Sequence, residues 1–406
     1  MNPDLPAEST EIRGAAASRR GRNGGAWPRL LPILALAAVA GTPWLLGFDD
    51  QPDDIAALRA AYAGPPESWP PARVDGGVDA VELGLLPDPV HPADNPYNDA
   101  KEALGEMLFF DPRLSGSGQM ACASCHEPDL GWADGRVISF GHDRTPLQRN
   151  APTAQNTGHL PILFWDGRAA SLEDVVRDVV AHPDEFRSGE ELVAERIADV
   201  PGYAEHFEAA FGDPEADLDR VADAIACFIR ELNGGRSRFD AFLRGRDAAL
   251  SDAAVRGLHL FRTDARCMNC HHGPLLSDGK LHNTGLALLS TPSADPGAYA
   301  VTGDPEHVGA FRTPTLRNLP RTRPFMHHGL FDSLDVVVKS YNIGNPTLRE
   351  KKGGWTDADG NPLPGQTKSP LLHRLDLEDH QLDDLKAFLT SLEEAHRRIE
   401  PPDLPE

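Results

Sequence analysis

Two short Cys-x-x-Cys-His segments constrain this chain more than any other feature. They use four of its five cysteines and consist of Cys122, Cys125 and His126 in the first half, and Cys267, Cys270 and His271 in the second. The spacing is typical of covalent haem c attachment, in which two thiols add across the vinyl groups of one haem and the adjacent histidine reaches the iron. The pattern predicts one haem in each half.

Two other interpretations of these cysteines exist. A zinc ribbon would use four of the six cysteine and histidine groups, but it does not require a histidine directly after each pair. A disulfide across a two-residue loop is normally redox-active rather than structural. Haem attachment explains the pattern better than either. The fifth cysteine, Cys227, lies in an apolar helical pattern, which predicts a buried free thiol.

Length and charge narrow the class of protein. The 406 residues allow two or three domains with a sizeable core. The formal net charge is −23, from 62 acidic and 39 basic residues. This argues against a nucleic-acid partner and favours attraction of a basic redox protein, although part of the charge is expected to be ordinary solvated surface. Because Gly and Pro number 37 and 36, long irregular loops are expected.

The N-terminus has the pattern of an export segment. Arg19, Arg20, Arg22 and Arg29 precede an apolar run over 30–48. Residues 1–48 are therefore predicted to be an export signal or an uncleaved N-terminal membrane anchor, which places the remainder in the periplasm. Residues 49–94 are rich in Pro, Asp and Gly and are predicted to be a linker or wrapping arm. Ordered structure is expected to begin near Asn95.

The halves repeat each other beyond the haem motifs. Gly167, Ser171 and Leu172 recur 162 residues later as Gly329, Ser333 and Leu334. A constant offset of this kind is what a duplicated domain predicts. Apolar residues recur at helical spacing near 218–232 and 382–392, and another helix is expected over 98–109. The predicted fold is mainly α, with little strand and long loops. Two cytochrome c-like haem domains, 95–245 and 246–406, are related by pseudo-two-fold symmetry.

The same offset exposes a difference between the halves. Tyr341 of the second half corresponds to Val179 of the first. A haem with only its histidine ligand has an open position for peroxide or oxygen, whereas a haem with two protein ligands is suited to electron storage. Two unequal haems indicate an enzyme rather than a simple electron carrier.

Several stretches around the haem motifs resemble the bacterial di-haem cytochrome c peroxidase/MauG family. They are Leu104–Gly105 and Leu108–Ser115, Phe164–Arg168 followed by Ser171–Glu173, and Phe311–Asn318. The resemblance extends over roughly residues 95–395, with its motifs in order. It implies that hydrogen peroxide is reduced at the first haem and that the second haem stores or delivers electrons.

The resemblance also implies roles for particular residues of the first half. His126 is the proximal ligand of the peroxidatic haem, and Glu185 is at the position of the distal acid–base glutamate. His142 matches a loop histidine that caps the iron in resting peroxidases. Trp165 matches a tryptophan between the haems that relays electrons. Val175 departs from the family, which has a glutamine there, and removes a distal hydrogen-bond donor.

In the second half the resemblance implies His271 as proximal ligand and Tyr341 as distal ligand, as in MauG, where the peroxidases supply methionine. A phenolate stabilises ferric and higher states, whereas methionine favours ferrous haem. Met326 and His327 remain alternative ligands. An inter-haem calcium ion, completed by water, is implied at Asn150, Thr322 and Pro324.

The predicted function is a periplasmic di-haem peroxidase that takes electrons from a small soluble redox protein, a cytochrome c or a cupredoxin. The alternative is a MauG-like enzyme that oxidises residues of a partner protein through high-valent haems. His142 favours the first function and Tyr341 the second. A third hypothesis is a non-catalytic di-haem electron carrier with both irons capped. A membrane tether and a homodimer remain open.

Overall fold

The computed structural model describes residues 54–345, 354–395 and 399–406, and in these ranges the chain is mainly helical. The α-helices are α1 (Ile55–Tyr62), α2 (Asp99–Phe110), α3 (Leu172–Ala181), α4 (Glu190–Ala198), α5 (Pro201–Phe211), α6 (Leu218–Glu231), α7 (Arg238–Leu243), α8 (Asp252–Arg262), α9 (Tyr299–Thr302), α10 (Leu334–Asn342) and α11 (Asp379–Ser391). Strand is limited there to two antiparallel pairs, β1 (Leu281–His282) with β2 (Phe311–Arg312), and β3 (Trp355–Thr356) with β4 (Pro362–Leu363). The predicted fold class is confirmed.

Each half is built on one close helix crossing. In the first half α2 crosses α6 at Gly105, where a Cβ atom would overlap the carbonyl oxygen of Ala224. In the second half α8 crosses α11 at Gly257, where a Cβ would overlap the carbonyl oxygen of Asp384. A phenylalanine one turn further along α6 or α11 packs beside each glycine. The repeated glycine therefore allows two helix backbones to touch in both halves.

The loop before α3 is repeated before α10. Ser171 caps α3 by accepting from the backbone N–H of Asp174 at 3.1 Å, and Ser333 caps α10 by accepting from Val336 at 3.4 Å. Gly167 adopts a left-handed conformation with φ 73°, as its counterpart Gly329 does with φ 60°. The 162-residue offset thus corresponds to repeated backbone geometry.

The two halves have separate hydrophobic cores within one compact unit, Pro52–Glu406. Cys227 is buried on α6, as predicted. The expectation that order begins near Asn95 is wrong, because α1 and the segment after it pack on the second core. Tyr62 and Trp69 are buried there with their ring centroids 5.2 Å apart. Buried apolar side chains such as these hold the Pro-rich arm on the second core.

The C-terminal residues return to the first half. Ile399 packs on the first core, and the carbonyl of Pro405 accepts from Arg113 Nη1 at 3.0 Å. The predicted domain boundaries stay a prediction. In the described part of the chain no helix is both long and apolar enough to span a membrane. The predicted export segment, 1–48, lies outside the described residues.

Candidate functional site

The first haem motif begins with a 3-10 turn, Cys122–Ser124, that packs on the first core. The ring of His126 lies 3.0 Å from the carbonyl oxygen of Trp132 through Nδ1. Burial lowers the pKa of His126, although hydrogen bonds to the carbonyls of Trp132 and Pro152 act to raise it. The imidazole is therefore neutral at physiological pH. With Nδ1 donating its proton, the lone pair of Nε2 is available to a metal.

The second motif has the same design. It begins with a 3-10 turn, Cys267–Asn269, on the second core. His271 Nδ1 lies 3.0 Å from the carbonyl oxygen of Leu276, and burial lowers the pKa of this histidine to about 4. Both motifs therefore fit a haem that is ligated by Nε2. Because each motif packs on a different core, the arrangement is not that of one zinc ribbon.

A large, mostly apolar cavity adjoins the second motif. It is lined by Cys267, Cys270 and His271, and by Tyr341 of α10. Burial raises the pKa of Tyr341, and the nearby sulfurs of Cys270 and Cys267 raise it further. A phenol is thus present in the same cavity as the haem-attachment residues.

Both alternative ligands line this cavity as well. Met326 and His327 follow one another in the loop before α10. His327 is stacked on Phe311 with centroids 3.6 Å apart, and its Nε2 atom has no hydrogen-bond partner among the described residues. The choice between Tyr341, Met326 and His327 as second ligand therefore stays a prediction.

The buried side chain of Trp165 lines the cavity and touches both halves. Its Nε1 donates to the carbonyl of Asn150 at 2.9 Å, and its own carbonyl accepts from the backbone N–H of Arg312 at 2.7 Å. Pro152, two residues after Asn150, also lines the cavity, and a hydrogen bond to its carbonyl acts to raise the pKa of His126. The stretch from Asn150 to Pro152 therefore lies between His126 and the second cavity, beside Trp165.

The three residues implied for calcium line the same cavity. They are Asn150, Thr322 and Pro324. Asn150 is buried, and its Nδ2 donates to the carbonyl of Arg136 at 2.5 Å, which leaves Oδ1 as the oxygen that a hard cation could use. An amide oxygen together with two backbone carbonyls is a suitable but incomplete donor set. The calcium site stays a prediction.

Glu185 and His142 lie in adjoining loops of the first half. The backbone N–H of His142 donates to the carbonyls of Asp184 and Glu185, at 2.8 and 2.9 Å. His142 is buried, and its Nδ1 has no partner among the described residues. Burial raises the pKa of Glu185, although His182 and Arg168 oppose the shift. The pKa of Cys125 is raised to about 12, mainly by burial and then by the negative charges of Asp134 and Glu185. The Glu185 carboxylate therefore lies near the first motif.

Helix α3 presents apolar side chains where α10 presents Tyr341. Val175 and Val179 are half-buried against the first core. Val179 is eight residues after the cap Ser171, just as Tyr341 is eight residues after Ser333. The pairing of Val179 with Tyr341 by sequence offset thus agrees with the helix geometry.

One pair of residues beside the second motif was not predicted from the sequence. His282 of β1 and Asp278 form an ion pair with Nε2 and Oδ2 2.8 Å apart. Together with Cys270 they are close enough to hold a metal ion, but Cys270 belongs to the haem motif. The corresponding acid of the first half, Asp134, has a buried Oδ2 without a partner among the described residues. A lone histidine eleven residues after a haem motif gave no signal in the sequence.

Comparison with known proteins gives consistent matches. The family profile described as di-haem cytochrome c peroxidase matches residues 99–248. The methylamine utilization protein MauG of Methylorubrum extorquens is 36% identical over 358 residues, which cover 88% of this chain and 90% of the relative. Cytochrome-c peroxidase IdrP1 of Denitromonas iodatirespirans is 34% identical, covering 83% and 93%. A crystal structure of a MauG-like protein associated with microbial copper homeostasis superposes with a TM-score of 0.67 at 33% identity, covering 76% of this chain and 93% of that one.

Proposed function

This chain belongs to the di-haem cytochrome c peroxidase family, with two haem c groups, and on that premise we propose that it reduces hydrogen peroxide to water beside His126. The reaction takes up two electrons and two protons for each peroxide and yields two waters. The electrons come from a small redox protein and pass through the second haem. The observation that carries the proposal is the half-buried carboxyl of Glu185, with its raised pKa, next to the first motif.

Glu185 moves the protons in this proposal. When bound, the haem at His126 supplies a metal centre that binds peroxide and accepts its oxidising equivalents. Glu185 takes the proton from the peroxide oxygen nearer the metal and returns it to the departing oxygen, which leaves as water. A raised pKa brings the carboxyl closer to the operating pH, so both transfers are accessible. Val175 supplies no second hydrogen-bond donor to this pocket.

His142 controls access to the same pocket in our proposal. Its backbone is fixed to the backbone of Asp184 and Glu185, whereas its buried imidazole nitrogen Nδ1 has no partner among the described residues. An imidazole in this position is able to occupy the ligand site and to leave it. Because the same hydrogen bonds hold both loops, a movement of His142 would also move Glu185.

Trp165 links the halves, and Tyr341 sets the character of the second haem. The indole donates to the carbonyl of Asn150, and the backbone carbonyl of Trp165 accepts from Arg312 of the second half, which supports a role in electron transfer between the haems. Tyr341 in the second cavity supports ligation by oxygen rather than by methionine. A calcium ion held by Asn150, Thr322 and Pro324 would stiffen this junction.

Tyr341 favours a second candidate function, the oxidation of residues in a partner protein. An oxygen ligand stabilises oxidised states of a haem, and the valine at position 179 leaves the first haem without such a ligand. The relative from Methylorubrum extorquens is named as a MauG, and the structural neighbour as MauG-like. For both functions we place the protein in the periplasm, with residues 1–48 as signal or tether.

Adding peroxide to the fully oxidised and to the half-reduced holoprotein tests both functions. A peroxidase of the first type consumes peroxide only after one haem is reduced, and then oxidises a reduced cytochrome c or cupredoxin. The MauG-like function predicts a long-lived, two-electron-oxidised state of the protein without prior reduction. If neither peroxide nor cyanide binds in any redox state, the chain is a carrier and both proposals are wrong.

A further inference from the structure

One buried arginine of the second half has no acidic partner among the described residues. Four arginines of the described chain are buried, and three of them are paired with a carboxylate: Arg230 with Glu173 at 2.7 Å, Arg262 with Glu82 at 3.0 Å and Arg317 with Asp240 at 2.8 Å. Arg312 is equally buried, with 3% of its surface exposed, but it has no ion pair with any described residue. An unpaired buried guanidinium is unfavourable, because it has lost its hydration without gaining a counter-charge.

The hydrogen bonds of Arg312 leave one end of its guanidinium open. Nε donates to the carbonyl of Phe164 at 3.1 Å, and Nη1 donates to the carbonyl of Thr313 at 3.1 Å. Nη2 has no partner among the described residues. The side chain lines the cavity that also contains Cys270 and His271. The side chain with the open donor therefore borders the same cavity as the second haem motif.

The strand that carries Arg312 is firmly fixed. Its backbone N–H donates to the Trp165 carbonyl at 2.7 Å, and β2 pairs with β1 beside it. Burial lowers the pKa of Arg312 to about 10, which still leaves it charged at neutral pH. A fixed cation facing an apolar cavity is suited to bind one anionic group of whatever fills that cavity.

We propose that Arg312 binds a propionate carboxylate of the second haem. The inference rests on the proposed attachment of that haem at Cys267 and Cys270, and it assigns the counter-charge that the described part of the chain does not provide. The ion pair fixes one edge of the haem to the strand that contacts Trp165. It also places a positive charge next to the haem, which favours the ferrous over the ferric state.

Substitution of Arg312 tests the proposal through the redox equilibrium of each haem. In Arg312→Gln holoprotein at neutral pH, the equilibrium of the second haem is expected to shift on the order of tenfold toward ferric. For a one-electron couple this corresponds to a potential about 59 mV lower. The first haem is expected to keep its potential, and Arg312→Lys is expected to restore most of the shift. Arg230→Gln, which removes a buried arginine of the first half, should destabilise the protein without changing the second potential.

Haem content separates this proposal from the proposed function. A wild-type protein without two covalent haems by the pyridine haemochrome assay would remove the premise of both. Two haems and an unchanged second potential in Arg312→Gln, or equal shifts of both potentials, would overturn the role of Arg312 alone. If Arg312→Gln does not fold, a crystal structure of the wild-type holoprotein decides. A propionate oxygen within about 3.2 Å of Nη2 supports the proposal, whereas a free anion there or a propionate directed to solvent contradicts it.

Discussion

The two halves of the molecule use the same scaffold to hold two differently equipped haem motifs. In each half a helix crossing at a glycine, Gly105 or Gly257, brings two helices into backbone contact. In each half the motif histidine donates to a backbone carbonyl, Trp132 for His126 and Leu276 for His271. These shared devices attach and orient a haem. They depend on backbone geometry, which a duplication copies unchanged.

The halves differ in the side chains that this shared scaffold carries. The first half has Val179 and Asp134, whose Oδ2 has no partner among the described residues, and its loops bring Glu185 near the motif. The second half has Tyr341 at the place of Val179, and His282 beside its acid. The comparison teaches that the residues for haem attachment sit on a repeated frame, while the side chains behind the proposed division into a reactive and an auxiliary haem are substitutions on that frame.

The largest effect is expected from Glu185→Gln, which removes the acid–base group of the first half. Peroxide turnover, measured as kcat/KM, should fall by roughly 10²–10⁴. In the wild type, burial holds the pKa of Glu185 above that of an exposed glutamate. Because the base must be deprotonated, kcat/KM should fall as the pH decreases through this raised pKa, and the variant should lack that limb.

Asp184→Asn is the matched control, since Asp184 is an exposed acid that directly precedes Glu185 in the sequence. It should change kcat/KM by less than about twofold. Equal losses in both variants would show that general charge, not a placed carboxyl, supports turnover, and the assignment of Glu185 would be abandoned.

Tyr341→Met should make the second haem resemble that of a peroxidase. Within the span of about 0.8 V that axial ligands cover, a shift to higher potential of 100 mV or more is expected, because methionine favours ferrous haem. Optical redox titration measures the shift, and Val179→Met in the first half serves as the comparison. No change on replacing Tyr341 would assign the ligand to Met326 or His327 instead.

Gly105→Ala and Gly257→Ala test whether the two crossings are equivalent. Each Cβ would overlap a carbonyl oxygen of the facing helix, so each variant should lose about 1–3 kcal/mol of stability or more. Thermal unfolding of the holoprotein measures the loss. Gly76→Ala, where the added atom meets open space, should stay within about 0.5 kcal/mol of the wild type. A large loss in only one half would disprove their equivalence.

The smallest effect concerns the acids behind the motifs. Hydrogen bonds from His282 and the backbone of Lys280 lower the pKa of Asp278 to about 2, although burial opposes the shift. A carboxyl with a depressed pKa stabilises the fold above its unfolded pKa of about 3.9, and this contribution is lost as the pH falls through about 2. Asp278→Asn should therefore cost about 2 kcal/mol at neutral pH.

Asp134→Asn in the first half should cost less than about 1 kcal/mol, because its buried Oδ2 has no partner among the described residues to lose. Chemical denaturation at neutral pH and at pH 2 compares the two variants. If Asp134→Asn lost as much stability as Asp278→Asn, the ion pair of Asp278 with His282 would not be what distinguishes the two acids.

Local patterns in the sequence were enough to predict much of the fold. The helices containing Leu104, Ile225 and Leu385 follow from apolar residues at helical spacing, and they appear as α2, α6 and α11. The expectation that order begins near Asn95 was wrong, because the composition before that residue is that of a loop, while its few apolar residues are buried against residues far away in the sequence. Such long-range burial leaves no periodic signal.

The sequence by itself determined that one haem is attached in each half. It also determined that Tyr341 of the second half corresponds to Val179 of the first. Covalent attachment and helix periodicity are local properties, so spacing is sufficient to identify them. Only the tertiary structure decided that Asp278 is paired with His282 and that Arg312 is buried without an acidic partner in the ranges that the structure describes. Whether a buried charge is compensated depends on residues brought together from distant parts of the chain, and on the cofactor between them.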